Sequence, residues 1–323
     1  MAEQGEESYI NNLALLIRTM RVLVLYVLVS CMVTLVSCIN FMPGSGPVIG
    51  ATEQYSVIMV TSDLAVGQNR ISFGLVDIDN VPVKTESVSV KSVYFKPGQD
   101  EGVIKQSVQA NFVEWPPEDS GRGVYLTELD FDRTGSGTST DPGLWGLEIT
   151  AVAHDGSKIQ ARTALSVAAL SKSPAIGGIA PPSRTLTENT VSELHKITSA
   201  ADPDLDMYRI SVRDALQEDK PAVIIFSTPA FCVSATCGPQ LNVITNLKSK
   251  YRDKVNFIHV EAYQDPHLIS EGIVGLVPVD AMDEWGLNTE PWTFVVNKNG
   301  NIQAKFEQFV TEAEILLALE NAF

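Results

Sequence analysis

The sequence predicts two domains, an all-β domain followed by an α/β domain, and three stretches of the chain carry this prediction. Residues 55–167 alternate apolar and polar side chains in short runs between turn signals, which is typical of β-strands. Residues 171–184 are rich in proline, glycine and serine, which is typical of a linker. Residues 221–251 begin with a short apolar run and end in a helical pattern, which indicates a buried strand followed by a helix.

The first predicted domain, residues 55–170, has the alternation of a sheet with one buried face. Ile71, Phe73 and Leu75 alternate with small or polar neighbours, and turn signals separate the runs. About seven short strands over this length predict an immunoglobulin-like β-sandwich. We expect Trp145 to lie in its core, and we expect the domain to act as a spacer or docking module.

The second predicted domain, residues 186–323, mixes helices with strands and follows a linker at residues 171–185. Asn299-Gly300 predicts a hairpin turn, and Thr311-x-x-Glu314 is a capping box that predicts the start of a helix. The other predicted elements are a short strand at 208–212, a helical turn at 214–217, a strand at 222–226, a helix after Cys237, a strand at 255–262, a helix at 280–285 and hairpin strands at 294–296 and 302–306.

Cys232 and Cys237 lie between the buried strand and the helix that follows it. Two residues five apart in a regular helix lie about 8 Å from each other at Cα, whereas a disulfide needs about 7 Å or less. Residues 233–236 are therefore predicted to form an irregular loop, or the first helical turn unwinds on oxidation. Pro239 favours a helix that begins near Cys237, because proline is tolerated in a first turn. The N-terminus of such a helix stabilises a thiolate.

Residues 221–323 resemble thioredoxin-like domains, in the branch of membrane-tethered thiol–disulfide oxidoreductases. The matching parts are the strand, the cysteine turn, the helix ending at Tyr251-Arg252-Asp253, the strand at 255–260 and the segment 285–300. Counting back from Tyr251 places Cys237 on the family's resolving cysteine and Cys232 on its nucleophile, with two extra residues between them. A competing alignment takes residues 237–240, Cys-Gly-Pro-Gln, as the family's CGPC motif with its second cysteine lost.

The resemblance also implies what the site contains. Pro291 is implied to have a cis peptide bond and to abut the cysteine pair, where it shapes the groove in which a substrate strand docks. An apolar residue stands where many family members bury a carboxylate, so Glu290 is the expected proton relay. Cys232 is expected to attack a substrate disulfide, and Cys237 is expected to resolve the mixed intermediate. The predicted activity is thiol–disulfide exchange without a cofactor.

Three alternatives stay open at this point. In the first, the cysteine pair is a structural disulfide of a non-catalytic domain. In the second, the chain is a thiol peroxidase, because residues 228–232 followed by Cys237 resemble peroxiredoxins; the arginine that those enzymes carry before their Thr-Phe strand is absent here. In the third, the protein delivers copper, with Cys232, Cys237 and His267 as ligands, since thiolates suit Cu(I).

Residues 1–38 are predicted to be a bacterial lipoprotein signal peptide. Arg18 and Arg21 precede an apolar run at residues 22–36. The last four residues of the predicted signal, Leu-Val-Ser-Cys, match the lipobox, in which small residues precede a cysteine that becomes lipidated. Cys38 is therefore the predicted lipidation site.

Two alternatives concern the same segment. A second lipobox match ends at Cys31 but leaves a hydrophobic stretch of about six residues, which is short for a signal peptide, and Met20 is an alternative start. An uncleaved anchor over residues 22–39 is the competing interpretation. With either the lipid or the anchor, the residues that follow the tether at 39–54 are expected to lie on the extracytoplasmic side of the cell membrane, where disulfides persist.

Length and charge limit the remaining classes of function. At 323 residues, of which 45% are hydrophobic, the chain is long enough for two domains with cores of their own. A formal net charge of −16 argues against nucleic acid as a partner. The expected partners are a client protein that carries a disulfide or a dithiol, and the membrane.

Overall fold

Two β-sheets, one of seven strands and one of four, organise the part of the chain that the structure describes. The computed structural model describes residues 54–115, 121–153, 155–234 and 236–323, which belong to one compact unit, Thr52–Phe323. The predicted signal peptide, the predicted lipidation site Cys38 and nearly all of the predicted tether lie outside the described residues. Across the described ranges, no helix combines the length and the apolar character needed to cross a bilayer.

The first sheet contains the alternating runs of the N-terminal half. Its strands are β1 (Tyr55–Met59), β2 (Gly67–Asp77), β3 (Ser87–Phe95), β4 (Gly102–Glu114), β5 (Gly123–Phe131), β6 (Leu144–Val152) and β7 (Lys158–Leu165). They are antiparallel in the spatial order β1-β2-β5-β4-β3-β6-β7. The edge strands β1 and β7 approach each other, so the sheet curls around its apolar face. The predicted number of strands is confirmed, and they form one continuous hydrogen-bonded sheet.

Aromatic rings fill the space inside the curled sheet. Trp145 is fully buried, with its ring centroid 4.8 Å from that of Phe131 and 5.1 Å from that of Tyr94. Its indole N–H donates to the carbonyl of Arg133 at 3.0 Å, which satisfies the one polar atom of the side chain. The predicted core position of Trp145 is confirmed.

The second sheet is built from β8 (Ala222–Ser227), β9 (Asn256–Glu261), β10 (Trp292–Val296) and β11 (Ile302–Glu307), in the order β11-β10-β8-β9. β8 pairs with β9 in parallel and with β10 antiparallel, and β10 and β11 form a hairpin. Every residue of β8 is buried, with alternate side chains in two different core clusters. A strand covered on both faces is apolar throughout, which explains the unbroken apolar run. The predicted strands and hairpin are confirmed.

In the described part of the chain, five α-helices accompany the second sheet. They are α1 (Val212–Ala215), α2 (Cys237–Tyr251), α3 (Pro266–Ser270), α4 (Asp280–Glu284) and α5 (Glu312–Glu320), with 3-10 helices at Leu194–Lys196 and Leu205–Tyr208. The capping box is present, because Thr311 and Glu314 each accept a backbone hydrogen bond from the other. From β8 onward, the strand and helix order is the one expected from the thioredoxin-like resemblance, with α3 as an additional short helix.

The prediction of a short strand at residues 208–212 is wrong, because this stretch joins a 3-10 helix to α1. Asp204 accepts a hydrogen bond from the backbone N–H of Asp206, and Ser211 accepts one from that of Asp214. These two caps start the helical turns that include Tyr208 and Val212, the two ends of the stretch. The alternation that suggests a strand comes from residues that are buried for another reason, with Tyr208 held in the core by its hydroxyl contacts.

Glu307, the last residue of β11, joins the two sheets. The residue is only 5% exposed, and its carboxylate accepts hydrogen bonds from the backbone N–H groups of Ser62 at 2.8 Å and Asp63 at 3.0 Å. The hydroxyls of Ser62 at 2.5 Å and Thr289 at 2.8 Å donate to the same carboxylate. A buried carboxylate needs hydrogen-bond donors inside the protein, and these four groups supply them. The loop after β1 is therefore fixed to the end of β11 and to the chain just before β10.

A second contact joins the sheets beside the first. Arg70 donates to Glu314 at 2.7 Å and to the carbonyl of Phe309 at 2.8 Å. The ring of Trp115 lies 5.8 Å from that of Phe309. Both contacts involve the segment that follows β11, so this segment is held from the side of the first sheet.

The predicted linker at residues 171–185 contacts the loop after β1 and the turn after α4. Asp63 accepts hydrogen bonds from the backbone N–H of Lys172 at 2.9 Å and from the hydroxyl of Ser173 at 2.6 Å. Gly286 has a φ of +63°, and a Cβ there would overlap the carbonyl of Lys172. Glycine is required where the backbone takes this conformation with another chain so close.

Candidate active site

Cys232 and Cys237 form a disulfide between β8 and α2, with their Cα atoms 6.0 Å apart. Cys237 is the first residue of α2, whereas Cys232 lies before the helix. The separation is below the limit of about 7 Å for a disulfide, which a regular helix would exceed. The prediction of a helix that begins near Cys237 is confirmed, and the described residues between the cysteines, 233, 234 and 236, are not helical, as the first of the two alternatives expected.

The two sulfurs differ in accessibility. Cys237 is completely buried, whereas Cys232 is half-buried. The backbone N–H of Cys237 lies 3.3 Å from the Cys232 Sγ atom and points to it. An unpaired N–H at a helix N-terminus favours negative charge on a nearby sulfur. An approaching thiol or disulfide therefore meets Cys232 first, on the sulfur that the helix end favours as a thiolate.

Hydroxyl groups line the loop between the cysteines. The Ser234 hydroxyl lies 3.3 Å from the Cys232 Sγ atom and 2.8 Å from the Thr236 hydroxyl. Ser234 also donates to the carbonyl of Glu290 at 3.4 Å. The cysteine loop thus contacts the chain just before Pro291 through short polar side chains.

The Glu290–Pro291 peptide bond is cis, as the resemblance implied. Gln308 holds this bond from both sides, because its backbone N–H donates to the Pro291 carbonyl at 2.7 Å and its side-chain amide donates to the Glu290 carbonyl at 2.8 Å. The structure therefore brings Cys232, Cys237 and Pro291 to one edge of the sheet, joined by Ser234 and Gln308.

Glu290 is half-buried beside the same loop. Burial raises the pKa of its carboxyl group, and a hydrogen bond from Tyr263 acts in the opposite direction. A carboxyl group whose pKa is raised takes up and releases a proton closer to neutral pH. The direction of this pKa change is the one expected of a proton relay, whereas the contacts of Glu290 to Ser234 and Gln308 are made by its backbone carbonyl.

A second buried carboxyl group, Glu261, lies at the end of β9, opposite Ser227 at the end of β8. Its Oε2 atom accepts from the backbone N–H of Ser199 at 2.7 Å, and the Ser199 hydroxyl accepts from the N–H of Ala230 in the cysteine loop. Burial raises the pKa of Glu261. Sequence reasoning missed this residue, although a carboxylate at the end of the apolar run at 257–262 is a signal that could have indicated it.

His259 is the buried histidine of β9. Its Nδ1 atom lies 2.6 Å from the Tyr208 hydroxyl, and its Nε2 atom lies 2.8 Å from the Ser227 hydroxyl. Burial lowers the pKa of His259 to about 4, so the ring is neutral at physiological pH. It serves as a packed, hydrogen-bonded core residue.

We expect this buried histidine to give the fold a measurable acid sensitivity. As pH falls below the ordinary value of 6.5, His259 takes up a proton in the unfolded chain but not in the folded chain until about 4. The free energy of unfolding therefore falls over this range, by about 3 kcal/mol in total from this residue. Denaturant titrations at several pH values check this: His259→Gln should remove that part of the slope.

The matched control is His195→Gln, which replaces an exposed histidine. If the wild-type chain and His259→Gln lost stability in parallel between pH 6.5 and 4, the buried neutral histidine would not be the cause.

His267 lies on α3, where its ring is 5.4 Å from that of His195. Among the residues that the structure describes, no group of three or more His, Cys, Asp or Glu side chains is arranged to hold a metal ion. With the disulfide formed, Cys232, Cys237 and His267 are not assembled as a copper site.

The structural matches to known proteins cover about a third of the chain. No protein-family model and no curated protein matches it. The solved structure of MTB dsbF in its mixed oxidized and reduced forms is 18% identical, with a TM-score of 0.29, and the match covers 35% of this chain and 87% of that one. A thioredoxin family thiol:disulfide interchange protein from Chlorobium tepidum TLS is 15% identical, with a TM-score of 0.27, over 35% of this chain and 85% of that one. A secreted thiol-disulfide isomerase from Corynebacterium glutamicum is 13% identical, with a TM-score of 0.27, over 34% of this chain and 73% of that one.

Proposed function

We propose that the protein is an extracytoplasmic thiol–disulfide oxidoreductase that acts through Cys232 and Cys237. The observation that carries the proposal is a disulfide between a half-buried and a fully buried cysteine at the start of a helix, beside the loop that contains Pro291. One accessible sulfur and one protected sulfur are what a two-step exchange requires.

In the first step, the reduced protein meets a client disulfide. The Cys232 thiolate attacks one client sulfur, a new S–S bond forms, and the client's own S–S bond breaks. The electron pair of the broken bond stays on the second client sulfur, which leaves as a thiolate and takes up a proton. Glu290, which lies beside the loop and whose pKa burial raises, is the proton donor in this proposal.

In the second step, Cys237 loses its proton and attacks the Cys232 sulfur of the mixed disulfide. The Cys232–Cys237 bond forms, and the client leaves with both of its sulfurs reduced. Two electrons have then passed from the protein to the client. A dithiol partner must supply two electrons to restore the reduced pair, and the same steps in reverse oxidise a client dithiol.

In this proposal, the N-terminal segment determines that the site works outside the cytoplasm. Lipidation at Cys38, or an uncleaved anchor, ties the protein to the extracytoplasmic face of the membrane. The strand order of the first sheet supports an immunoglobulin-like sandwich, because β1-β2-β5-β4 corresponds to the order A-B-E-D of that fold and β3-β6-β7 to C-F-G, with β4 and β3 hydrogen-bonded to each other here. In this proposal the sandwich is a spacer or docking module.

The reduction potential of the Cys232–Cys237 pair tests the proposal. We expect a value above about −300 mV, since exchange catalysts lie above this value and structural disulfides of secreted proteins lie below it. The full-length chain with Cys31→Ser and Cys38→Ser leaves the pair as its remaining cysteines, so equilibration with glutathione or dithiothreitol buffers reports on the pair alone. A value below about −300 mV, together with no reduction of insulin disulfides, would favour the structural disulfide.

A further inference from the structure

Gln308 lies in an unusual position between β11 and α5. Its φ is 62°, in the left-handed region that glycine or asparagine occupies most easily. The residue is only 5% exposed. A long polar side chain in this conformation, removed from water, needs hydrogen-bond partners inside the protein.

The side-chain amide of Gln308 has a partner at each end. Its nitrogen donates to the carbonyl of Glu290 at 2.8 Å, and its oxygen accepts from the Thr236 hydroxyl at 2.9 Å. Glu290 comes directly before Pro291, and Thr236 directly before Cys237. One side chain therefore bridges the loop that contains the cis peptide and the start of the helix that carries the buried cysteine.

The backbone on both sides of Gln308 is fixed as well. Its own N–H donates to the Pro291 carbonyl at 2.7 Å. The preceding residue, Glu307, is held by Ser62 and Thr289, and the following residue, Phe309, accepts a hydrogen bond from Arg70 through its carbonyl. Because the backbone on both sides of Gln308 is fixed, its side-chain bridge can hold Thr236 in place.

From these contacts we propose that Gln308 is a positioning residue for the exchange reaction proposed above, on which this inference rests. It holds Thr236, and with it Cys237, against the Pro291 loop at bonding distance from Cys232. The step it serves is closure of the pair: the Cys237 thiolate attacks Cys232, the mixed disulfide breaks, and the client sulfur leaves with the electron pair and takes up a proton. Its effect is to raise the effective concentration of one sulfur at the other.

The test compares Gln308→Gly and Gln308→Asn with the full-length chain carrying Cys31→Ser and Cys38→Ser. Glycine and asparagine both accept a positive φ, but glycine has no amide and asparagine is too short to bridge both partners. We expect the equilibrium constant for closing the disulfide, measured against glutathione, to fall about tenfold in both variants. That change corresponds to a reduction potential higher by about 30 mV.

Gln308→Glu supplies a readout that a purely structural role would not change. A charged carboxylate accepts from Thr236 but cannot donate to the Glu290 carbonyl, whereas a protonated carboxyl group can do both. Relative to the parent at the same pH, disulfide closure in this variant should be weakened at neutral pH and restored at acidic pH. No such recovery is expected in Gln308→Gly.

The control is Asn80→Gly, which changes another residue of positive φ, 60°, in an exposed turn of the first sheet. Equilibrium constants within twofold of the parent in folded Gln308→Gly and Gln308→Asn would overturn the inference. The closure constant does not require a client, so it tests Gln308 even if the parent fails to catalyse exchange, which would count against the proposed function alone.

Discussion

Cys232→Ser is expected to reduce thiol–disulfide exchange to the uncatalysed rate, whereas Cys237→Ser is expected to stop the reaction at a mixed disulfide. The difference follows from accessibility, because Cys232 is half-buried and Cys237 is fully buried. Without Cys232 no nucleophile is accessible, and without Cys237 the covalent intermediate has no internal thiol to resolve it. Insulin reduction measures the first effect, and non-reducing electrophoresis with a disulfide-bonded client measures the second.

Both variants are made in the chain with Cys31→Ser and Cys38→Ser, so that no other sulfur can form the adduct. The chain that carries only Cys31→Ser and Cys38→Ser is the control for activity. If Cys232→Ser formed the stable adduct and Cys237→Ser did not, the assignment of nucleophile and resolving cysteine would have to be reversed.

Trp285→Ala is expected to lower the free energy of unfolding by about 3–5 kcal/mol, the usual cost of removing a large buried aromatic side chain. Trp285 is completely buried. Its ring centroid lies 5.1 Å from that of Phe226 and 4.6 Å from that of Phe294, and its indole N–H donates to the Ser183 hydroxyl at 3.0 Å. The substitution leaves a cavity beneath β8 and β10 and removes the partner of a buried hydroxyl.

Urea denaturation followed by circular dichroism measures this loss. Phe323→Ala is the matched control, since it removes an aromatic ring that is 52% exposed, and we expect a change within about 0.5 kcal/mol. A loss below about 1 kcal/mol for Trp285→Ala would mean that the surrounding rings close the cavity, contrary to the close packing of Trp285 against Phe226 and Phe294.

The parts of the site that the sequence predicted rest on local signals. The apolar run of β8, the helix that starts at Cys237 and the turn at Asn299-Gly300 are each determined by neighbours within a few residues. Helix geometry also indicates that the two cysteines cannot form a disulfide if both lie inside a regular helix. Where two local signals competed, at residues 208–212, the caps at Asp204 and Ser211 prevailed over the alternating pattern.

The parts that could not be predicted depend on residues far apart in the chain. Gln308 contacts Thr236 across 72 positions, and Glu261 reaches Ser199 across 62. An amide or a carboxylate at a strand end is usually exposed to solvent, so Gln308 does not stand out in the sequence, and the only sign of Glu261 is its place at the end of an apolar run. Their roles arise only when the sheet brings the strand ends together.

The contact between Glu307 and the loop at residues 62–63 limits how the two halves of the protein can be separated and fused to other proteins. A graft that moved the C-terminal half onto another carrier, cut within residues 171–185, would leave the Glu307 carboxylate facing solvent without its backbone donors. The segment that leads to Gln308 would lose its support at the same time. A chimeric protein should therefore contain both sheets together.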